Sequence, residues 1–399
     1  MQHALADLFQ NLTATDVFLI LAMGLFVDLM WGLLFRASVV AYSRTRPPKS
    51  GGTGETPYIS IIVPCHNSDD VIDDTLRSLI DSGYPKREII VVDDASTDKT
   101  YEKVTSYGRA VTLLHKSKSG GRKTEAVNFG LLHARGEIVV VIDDDTKVAP
   151  GALQELIRPL ENNEVAAVGG NIKVKTEREG LLVKLQAVEY MVSMELGRAF
   201  QSTFYRGVVV ISGCFGAFRR DVLRRIGQYD PDTITEDLDL TWKIYRLLKR
   251  VDYSPKAICY TEAPRTLKAL IRQRTRWDRG LLETLAKHRG MMTDSKIGRA
   301  GFLLMDTLIF EIALLFARPL WVLTLVTLLY APWTAIILTV GFYFTLEFLT
   351  ILVAGLLSND KRNVLKTVYA PAIFVYRQLL GLIRMRATIL RILGRRAMW

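Results

Sequence analysis

Short apolar runs alternate with amphipathic stretches through the middle of the chain. Four runs rich in β-branched residues predict strands, at Ile59–Pro64, Glu88–Asp94, Val111–His115 and Glu137–Asp145. Apolar positions three and four residues apart predict helices at 71–82 and 122–133. Continuous apolar strands separated by helices are typical of an α/β fold in which helices cover both faces of a mainly parallel sheet.

A long apolar run near the N-terminus, at 17–36, has the length of a transmembrane helix. Residues 1–16 contain no Lys or Arg, whereas Arg36 and Arg44 follow the run. The positive-inside rule therefore predicts an extracytoplasmic N-terminus and a cytoplasmic domain after the helix. Asp28 lies inside the run, and we expect it to face protein rather than lipid. A buried core helix is the alternative.

A second apolar block precedes the C-terminal region. The block runs from Phe302 to Ser358, and Ala331-Pro332 is the expected break between two spans in the segment 291–358. Part of the first span is expected to lie along the membrane interface. These boundaries leave a Pro/Gly-rich linker at 37–57 and a cytoplasmic catalytic domain at 58–290. They predict a multi-pass protein of the plasma membrane.

The last segment, 359–399, combines apolar and basic residues. Arg377, Arg384 and Arg391 recur every seven residues and share one helical face. An arginine in the middle of a lipid-facing span is costly, whereas a basic stripe suits a helix on the membrane surface. A surface helix that faces headgroups is therefore favoured over a third span after the catalytic domain.

Composition narrows the function classes. The chain has 399 residues, of which 49% are hydrophobic and 23% charged, and this excludes a disordered or low-complexity polymer. Three widely separated cysteines match no disulfide or metal spacing. The net charge of +11 favours a phosphate-bearing ligand or an anionic membrane. Nucleic acid fits the charge, but no recognition motif for it is present.

Acidic clusters follow two of the predicted strands. Asp93-Asp94 ends the second strand, and Asp143-Asp144-Asp145 ends the fourth. Ligands bind beyond the carboxyl ends of the strands in such sheets, so both clusters should meet in one crevice. Their oxygen atoms suit a hard divalent cation that in turn holds phosphate. For the Asp93 cluster, a turn or a helix cap is an equal alternative.

The order of motifs resembles the processive family 2 glycosyltransferases, which include synthases of cellulose, hyaluronan, chitin oligosaccharide and poly-N-acetylglucosamine. The resemblance covers nearly the whole chain, with its flanking membrane segments. The matching segments are IVPCHNS at 62–68, VVDDAS at 91–96, KTEAVN at 123–128, the D-x-D of 143–145, Ser212-Gly213 with FRR at 218–220, TED at 235–237 and QRTRW at 273–277. Each motif alone is weak, but the ordered set is specific.

The resemblance implies a GT-A-like fold and a role for each motif. Asp93 would contact uridine, with His66 stacked on uracil, and Lys123 would lie near the nucleotide. Asp145, with Asp143 at the nucleotide side, would bind Mg²⁺ or Mn²⁺. Asp237 would be the general base, with Glu236 beside it. The last motif would supply Gln273 to the substrate, Arg276 or less readily Arg274 to the diphosphate, and Trp277 as a platform for a sugar ring.

Structural alternatives stay open for several of these residues. Glu236 and Asp237 can cap the helix that follows them. Arg274 and Arg276 can belong to a stripe that faces solvent or headgroups, and Trp277 can be an interface anchor. Lys123 can be an ordinary surface lysine.

The function that the resemblance implies is an inverting, processive β-glycosyltransferase in the membrane. Its donor would be a UDP-sugar, with UDP-GlcNAc favoured and UDP-Glc next. Its partners would be the growing polysaccharide, the lipid bilayer and an accessory export or regulatory subunit. One alternative is a non-processive transferase that moves one sugar to a polyprenyl phosphate or glycolipid. Another is a non-catalytic membrane scaffold, for which the acidic motifs would be unnecessary.

Overall fold

An eight-stranded mixed sheet forms the centre of the catalytic part of the chain. The computed structural model describes residues 26–45, 56–177, 179–328 and 332–393. The strands are β1 (Ile59–Cys65), β2 (Arg87–Asp93), β3 (Thr112–His115), β4 (Ile138–Ile142), β5 (Lys147–Val148), β6 (Val165–Val174), β7 (Phe215–Arg219) and β8 (Arg250–Thr261). They lie in the order β3-β2-β1-β4-β7-β6-β8-β5.

The first four predicted strands form the parallel half of this sheet. β1 pairs in parallel with β2 and β4, and β2 pairs in parallel with β3. Every residue of β1 and β4 is buried, as continuous apolar runs require in a sheet that is covered on both faces. The α/β fold with a mainly parallel sheet is confirmed.

The other half of the sheet departs from the parallel pattern. β7 is antiparallel to both β4 and β6, and β5 is antiparallel to β8. β6 and β8 are parallel, with a register shift between Gly170 and Asn171. At this shift Asn171 Nδ2 donates to the carbonyl of Pro255 (2.9 Å). The irregular backbone places the Asn171 side chain at the junction with the membrane helices.

Helices cover the sheet and continue into the membrane segments. They are α1 (Phe26–Thr45), α2 (Ile72–Ile80), α3 (Thr100–Thr105), α4 (Lys123–His133), α5 (Ala152–Ile157), α6 (Leu181–Val192), α7 (Ala199–Phe204), α8 (Arg220–Arg225), α9 (Glu236–Arg246), α10 (Leu267–Lys287), α11 (Arg299–Thr307), α12 (Leu314–Leu328), α13 (Pro332–Leu357) and α14 (Ala370–Ile392). One hydrophobic core extends from the strands to α1, α13 and α14.

Three helical segments are long and apolar enough to cross a membrane within the described residues. They are Phe26–Thr45, Arg299–Leu320 and Ile336–Leu357. The first continues to Thr45, so the predicted helix end at residue 36 and linker start at 37 are wrong. Residues 46–55 of the predicted linker lie outside the described residues, as do residues 1–25. The predicted break at 331–332 coincides with the start of α13, and residues 329–331 lie outside the description.

The acidic residue inside the first span faces protein, as predicted. Asp28 is buried, and its carboxylate accepts hydrogen bonds from Arg318 (2.7 and 3.1 Å) and from the hydroxyl of Tyr343 (2.8 Å). Because charged groups are costly in a lipid environment, pairing them inside the helix bundle is the expected arrangement.

The C-terminal helix α14 differs from the prediction in where its arginines point. Among the described residues, it is not one of the candidate spans. However, Arg377 pairs with Glu347 of α13 (2.9 Å), and Arg384 pairs with Asp278 of α10 (2.7 Å). The predicted headgroup-facing stripe is therefore wrong for these two residues, because carboxylates on neighbouring helices attract them. Arg391 is exposed.

A buried carboxylate joins the sheet to the membrane helices. Glu195, which is 2% exposed, accepts hydrogen bonds from Arg44 of α1 (3.0 Å) and from Asn171 of β6 (3.2 Å). The hydroxyl of Ser358, just after α13, lies 3.5 Å from the same carboxylate. Glu195 therefore links two candidate spans to one strand.

We expect Glu195→Gln to destabilise this junction. Removing one member of a buried ion pair typically costs about 3–5 kcal/mol. Arg44 is partly exposed and can recover water, so the loss should lie near the lower end of that range. The thermal unfolding midpoint in detergent would report the change, and the exposed Glu164→Gln is the matched control. Equal midpoints for the two variants would contradict a structural role for Glu195.

Candidate active site

A cavity of about 2110 Å³ lies beyond the carboxyl ends of β1, β2 and β4. Its wall includes the acids that follow β4, the start of α9 and one face of α10. The same cavity continues between the membrane helices, where Asp28, Arg318 and Tyr343 line it. The sheet and the candidate membrane spans therefore share one cavity.

The three carboxylates after β4 have different surroundings. Asp143 pairs with the ammonium group of Lys123, and Asp144 accepts a hydrogen bond from the hydroxyl of Ser68. Asp145 Oδ1 accepts from the hydroxyls of Thr146 and Thr261, both at 3.2 Å. Burial, together with Asp143 and Asp144, raises the pKa of Asp145 to about 6. The cluster therefore favours the arrival of positive charge.

Lys123 is the cation that contacts this cluster. Its Nζ pairs with Asp143 and donates to the carbonyl of Gly213 (3.0 Å). Burial would lower the pKa of Lys123, but Asp143, Glu236 and Asp237 outweigh it and raise the pKa above its ordinary value. Lys123 therefore stays charged and is not an ordinary surface lysine.

Of the two acids that end β2 and follow it, the second faces the cavity. Asp93 is fully buried; its carboxylate bonds to Nδ1 of His115 (2.8 Å) and to the hydroxyl of Ser96, and it does not line the cavity. Asp94 lines the cavity and pairs with Lys116 (2.5 Å). Burial opposes ionisation of Asp94, but Lys116 and Ser119 hold its pKa below the ordinary value.

The ring of His66 lies beside these acids. Its Nδ1 is 2.8 Å from the backbone oxygen of Asp94, and the side chain lines the cavity. This contact restrains the orientation of the imidazole ring in the cavity wall. His66 and Asp94 thus form one corner of the cavity.

The TED segment opens α9 at the opposite side of the acidic cluster. Asp237 Oδ2 accepts from the backbone N–H of Gly213 (3.1 Å), and its Oδ1 accepts from the N–H of Leu238 (2.8 Å). Burial raises the pKa of Glu236, and Asp237 adds to the rise. Thr235 makes no side-chain cap. The Asp237 carboxylate bonds to a backbone N–H in the first turn of α9, as the capping alternative predicts. The same carboxylate also lies at the cavity wall.

The QRTRW segment lies on α10, and its residues divide between two roles. Gln273, Arg276 and Trp277 line the cavity, and Arg276 is exposed there. Arg274 makes a bidentate pair with Glu189 of α6 (2.8 Å for both bonds), and its guanidinium lies 4.5 Å from the ring centroid of Trp277. Arg274 is therefore occupied by protein, whereas Arg276 has no ion pair within the described part of the chain.

A divalent cation fits this site only in part. Among the described residues, no group of three or more His, Cys, Asp or Glu side chains is arranged to hold a metal. Asp145 offers the hard oxygen atoms that Mg²⁺ and Mn²⁺ prefer, while Asp143 is occupied by Lys123. A cation at Asp145 would therefore need most of its ligands from a bound molecule, and diphosphate oxygens suit it.

Several residues of this site were not predicted. They are Glu189, Arg198, Asp278 and Arg384, all of which line the cavity. A signal existed for Glu189, because it lies in the mainly apolar helix LLVKLQAVEYMV. Arg198 ends a π-helical segment, Ser193–Arg198, and its recorded hydrogen bond goes to Gln201 Oε1 (3.2 Å). Nothing in the local sequence pattern predicts a π-helical turn, so the direction of the Arg198 side chain could not be predicted.

Comparisons with known proteins agree with the motif order. The family model described as "Glycosyltransferase like family 2" matches residues 57–280. Poly-β-1,6-N-acetyl-D-glucosamine synthase of Staphylococcus epidermidis is 32% identical over 232 residues, which are 57% of this chain and 56% of that protein. The synthase of the same name from Staphylococcus aureus is 31% identical over 251 residues, 62% and 60% of the two chains. The matches thus span less than two thirds of these relatives.

A solved structure shares the fold. A mannosyltransferase from Pyrobaculum calidifontis, in complex with GDP-Man and Mn²⁺, superposes with a TM-score of 0.63 at 23% identity. The match covers 90% of this chain and 96% of that chain. The GT-A-like fold is confirmed by this likeness together with the family match.

The contact between Gly280 of α10 and Thr235, just before α9, generates a stability prediction. A β-carbon at Gly280 would collide with the side chain of Thr235, so Gly280→Ala should cost about 1–3 kcal/mol through overpacking. Thr235→Ala in the same chain removes the two nearest colliding atoms, Cγ2 and Oγ1, but keeps Cβ, so it should restore part of the loss. Thermal unfolding of the two single variants and the double variant measures the coupling. Strictly additive losses would contradict this contact.

Proposed function

Because the chain belongs to glycosyltransferase-like family 2, we propose that it extends a polysaccharide at the membrane with sugars from a UDP-sugar donor. The observation that carries this proposal is that Lys123 with its carboxylates, Asp237 and Trp277 line one cavity that continues between the membrane helices. UDP-GlcNAc is the favoured donor, with UDP-Glc next. The names of the relatives support this choice.

The donor would bind at the carboxyl ends of β1, β2 and β4. His66 would stack on uracil, and Asp94, which faces the cavity, would contact the nucleoside while the buried Asp93 orients the loop. Arg276 would donate to the diphosphate. A Mg²⁺ or Mn²⁺ at Asp145 would neutralise the charge of the leaving UDP.

Asp237 would act as the general base. Gly213 N–H holds one carboxylate oxygen at 3.1 Å, which fixes the direction of the group. Asp237 takes the proton of the acceptor hydroxyl, whose oxygen forms a bond to C1 of the sugar as the bond from C1 to the diphosphate breaks. One displacement inverts the configuration at C1 and releases UDP. Lys123 keeps Asp143 and the Gly213 loop in place during this step.

The acceptor would lie on the membrane side of Asp237. Trp277 offers an apolar ring for stacking on the acceptor sugar, and Gln273 adds polar contacts beside it. Beyond Trp277 the cavity wall carries Asp28, Arg318 and Tyr343, which suit the hydroxyl groups of a polysaccharide. The product would leave along this path.

The catalytic domain would lie on the cytoplasmic side of the plasma membrane, where nucleotide sugars are made. Arg44 at the domain end of α1, with Arg36 further up the same helix, supports this orientation. The lipid bilayer is thus a partner along the three candidate spans. An accessory export or regulatory subunit remains compatible with this arrangement.

A second candidate function is transfer of one sugar to a polyprenyl phosphate. The observation that favours it is Arg198, a half-buried cavity residue that has no carboxylate partner within the described residues. A guanidinium group in such a position suits a phosphate. Unlike a polymerase, this enzyme would release product after one transfer.

The size of the product distinguishes extension of a polysaccharide from transfer of a single sugar. The purified protein in lipid nanodiscs is incubated with single UDP-sugars and Mg²⁺ or Mn²⁺, with and without a polyprenyl phosphate. We expect UDP release and long polymer with UDP-GlcNAc. A lipid-linked single sugar would support the second candidate, and no UDP release with any UDP-sugar would contradict the proposed donor class.

Asp145→Asn should abolish metal-dependent UDP binding, because the amide removes the anionic oxygen that the cation requires. The fold should persist, since the side chains that hold Asp145 in place are threonine hydroxyls. Calorimetric UDP titration at several Mn²⁺ concentrations measures the effect, with the exposed Asp74→Asn as control. Unchanged UDP affinity would remove Asp145 from the metal site.

Asp237→Asn should instead slow turnover while UDP affinity changes little. General-base catalysis is typically worth about 10²–10⁴-fold, so the rate should fall within that range. UDP release and UDP binding are measured on the same preparation. A parallel loss of UDP affinity would make Asp237 a nucleotide contact rather than the base.

A further inference from the structure

Two neighbouring rows of side chains on helix α10 line the cavity, and one of these rows is also paired with other helices. Gln273 and Trp277, four residues apart, form a row along the cavity wall. Arg274 and Asp278 form the next row, and both are engaged by charged groups of other helices. The second row therefore sets the rotation of the helix, and so the direction of the first row.

Arg274 is held through a carboxylate that three helices share. Its two bonds to Glu189 of α6 are 2.8 Å each, and Tyr376 of α14 donates its hydroxyl to the same carboxylate (2.7 Å). The side chain of Arg274 is only 11% exposed, and its guanidinium lies over the ring of Trp277. A bidentate pair at this burial has one preferred geometry. Because Arg274 is held in place and lies over the Trp277 ring, it also fixes the orientation of that ring.

Asp278 is held by α14 as well. Its carboxylate, 8% exposed, accepts from Arg384 Nε (2.7 Å), and the same guanidinium pairs with Glu311 in the π-helical segment Leu308–Ala313 between α11 and α12. Arg384 therefore connects α10 both to α14 and to a membrane helix. The two residues of α10 that α14 holds, Arg274 through Glu189 and Asp278 directly, lie on either side of Trp277 in the sequence.

We propose that α14 is a positioning element of the acceptor site: Tyr376, through Glu189 and Arg274, and Arg384, through Asp278, together fix the orientation of Trp277. The helix that follows the last candidate span thus completes the wall on which the acceptor lies. Arg274 is a positioning residue, and not a diphosphate ligand. Through Glu311, the same network relates the platform to the membrane helices between which the cavity continues.

The role of Trp277 as an acceptor platform rests on the proposed function, whereas its fixation by α14 does not. The test therefore needs one readout of activity and one of position. Tyr376→Phe removes a single hydroxyl and keeps the ring packed. Arg384→Gln removes the charge, and Arg384→Lys keeps it. The matched control is Arg391→Gln, seven residues further along α14, because Arg391 is exposed.

The positional readout is ¹⁹F NMR of protein labelled with 5-fluorotryptophan. The chain has 6 tryptophans, and Trp277→Phe identifies the resonance of Trp277. We expect Tyr376→Phe and Arg384→Gln to shift or broaden this resonance and to leave Trp242 unchanged. Arg384→Lys should lie nearer the wild type, and Arg391→Gln should match it. An unmoved Trp277 resonance in Tyr376→Phe and Arg384→Gln would overturn the proposal, even if the wild type makes no polymer.

The activity readout is the elongation rate beside UDP affinity. Misplacement of a substrate-positioning group by about 1 Å can cost about 10²-fold in rate. From that cost, we expect the elongation rates of Tyr376→Phe and Arg384→Gln to fall by about 10- to 100-fold. Their UDP affinities should stay within about twofold of the wild type. Full elongation, or an equal loss of UDP affinity, would contradict a positioning role. Absence of transfer by the wild type itself would contradict the proposed function instead.

Discussion

Electrostatic crowding at the carboxyl end of β4 is the constraint on which the site depends. Asp143, Asp144, Asp145, Glu236 and Asp237 line one cavity, and Lys123 pairs with Asp143 among them. Without compensation, so many neighbouring carboxylates would protonate or repel one another. Lys123 joins Asp143 to the carbonyl of Gly213, whose N–H in turn holds Asp237. One lysine thus connects the donor side of the cavity to the proposed base, and the remaining negative charge favours a divalent cation together with a ligand that brings more oxygen atoms.

A second set of charges holds this site against the membrane helices. Glu189 and Glu195 come from one continuous helical stretch, and each receives donors from elements far apart in sequence. In a partly buried junction, each carboxylate needs its donors in a particular geometry, and removing one leaves a charge unpaired. Helix α10, and with it Trp277, therefore cannot rotate independently of α6 and α14. The cavity keeps its shape from the nucleotide end to the membrane because these pairs define the relative positions of the helices.

Local pattern predicted the parallel half of the fold, and the motif resemblance named several of the residues that line the cavity. The Val/Ile runs of β1 and β4 are continuous because both sheet faces are covered. The acids that follow β4 face the cavity because the carboxyl ends of the strands face it. The antiparallel strand β7 and the bulged β8 were not predicted, since their pairing depends on contacts distant in sequence. The same limit applies to Arg377 and Arg384: heptad spacing placed them on one face, but only the fold brings Glu347 and Asp278 to that face. Asp94, rather than Asp93, faces the cavity because β2 ends with Asp93 pointing toward His115.

The central claim is that this acidic site is completed jointly by a divalent cation and a nucleotide diphosphate. The most direct measurement is calorimetric titration of the purified protein with Mn²⁺, in the absence and presence of saturating UDP. Asp143 is engaged by Lys123, and among the described residues no group of three metal-ligating side chains is arranged around Asp145. The account therefore predicts weak Mn²⁺ binding to the protein alone and at least about tenfold tighter binding with UDP, equivalent to about 1.4 kcal/mol of coupling. Mn²⁺ affinity that is the same with and without UDP would contradict it.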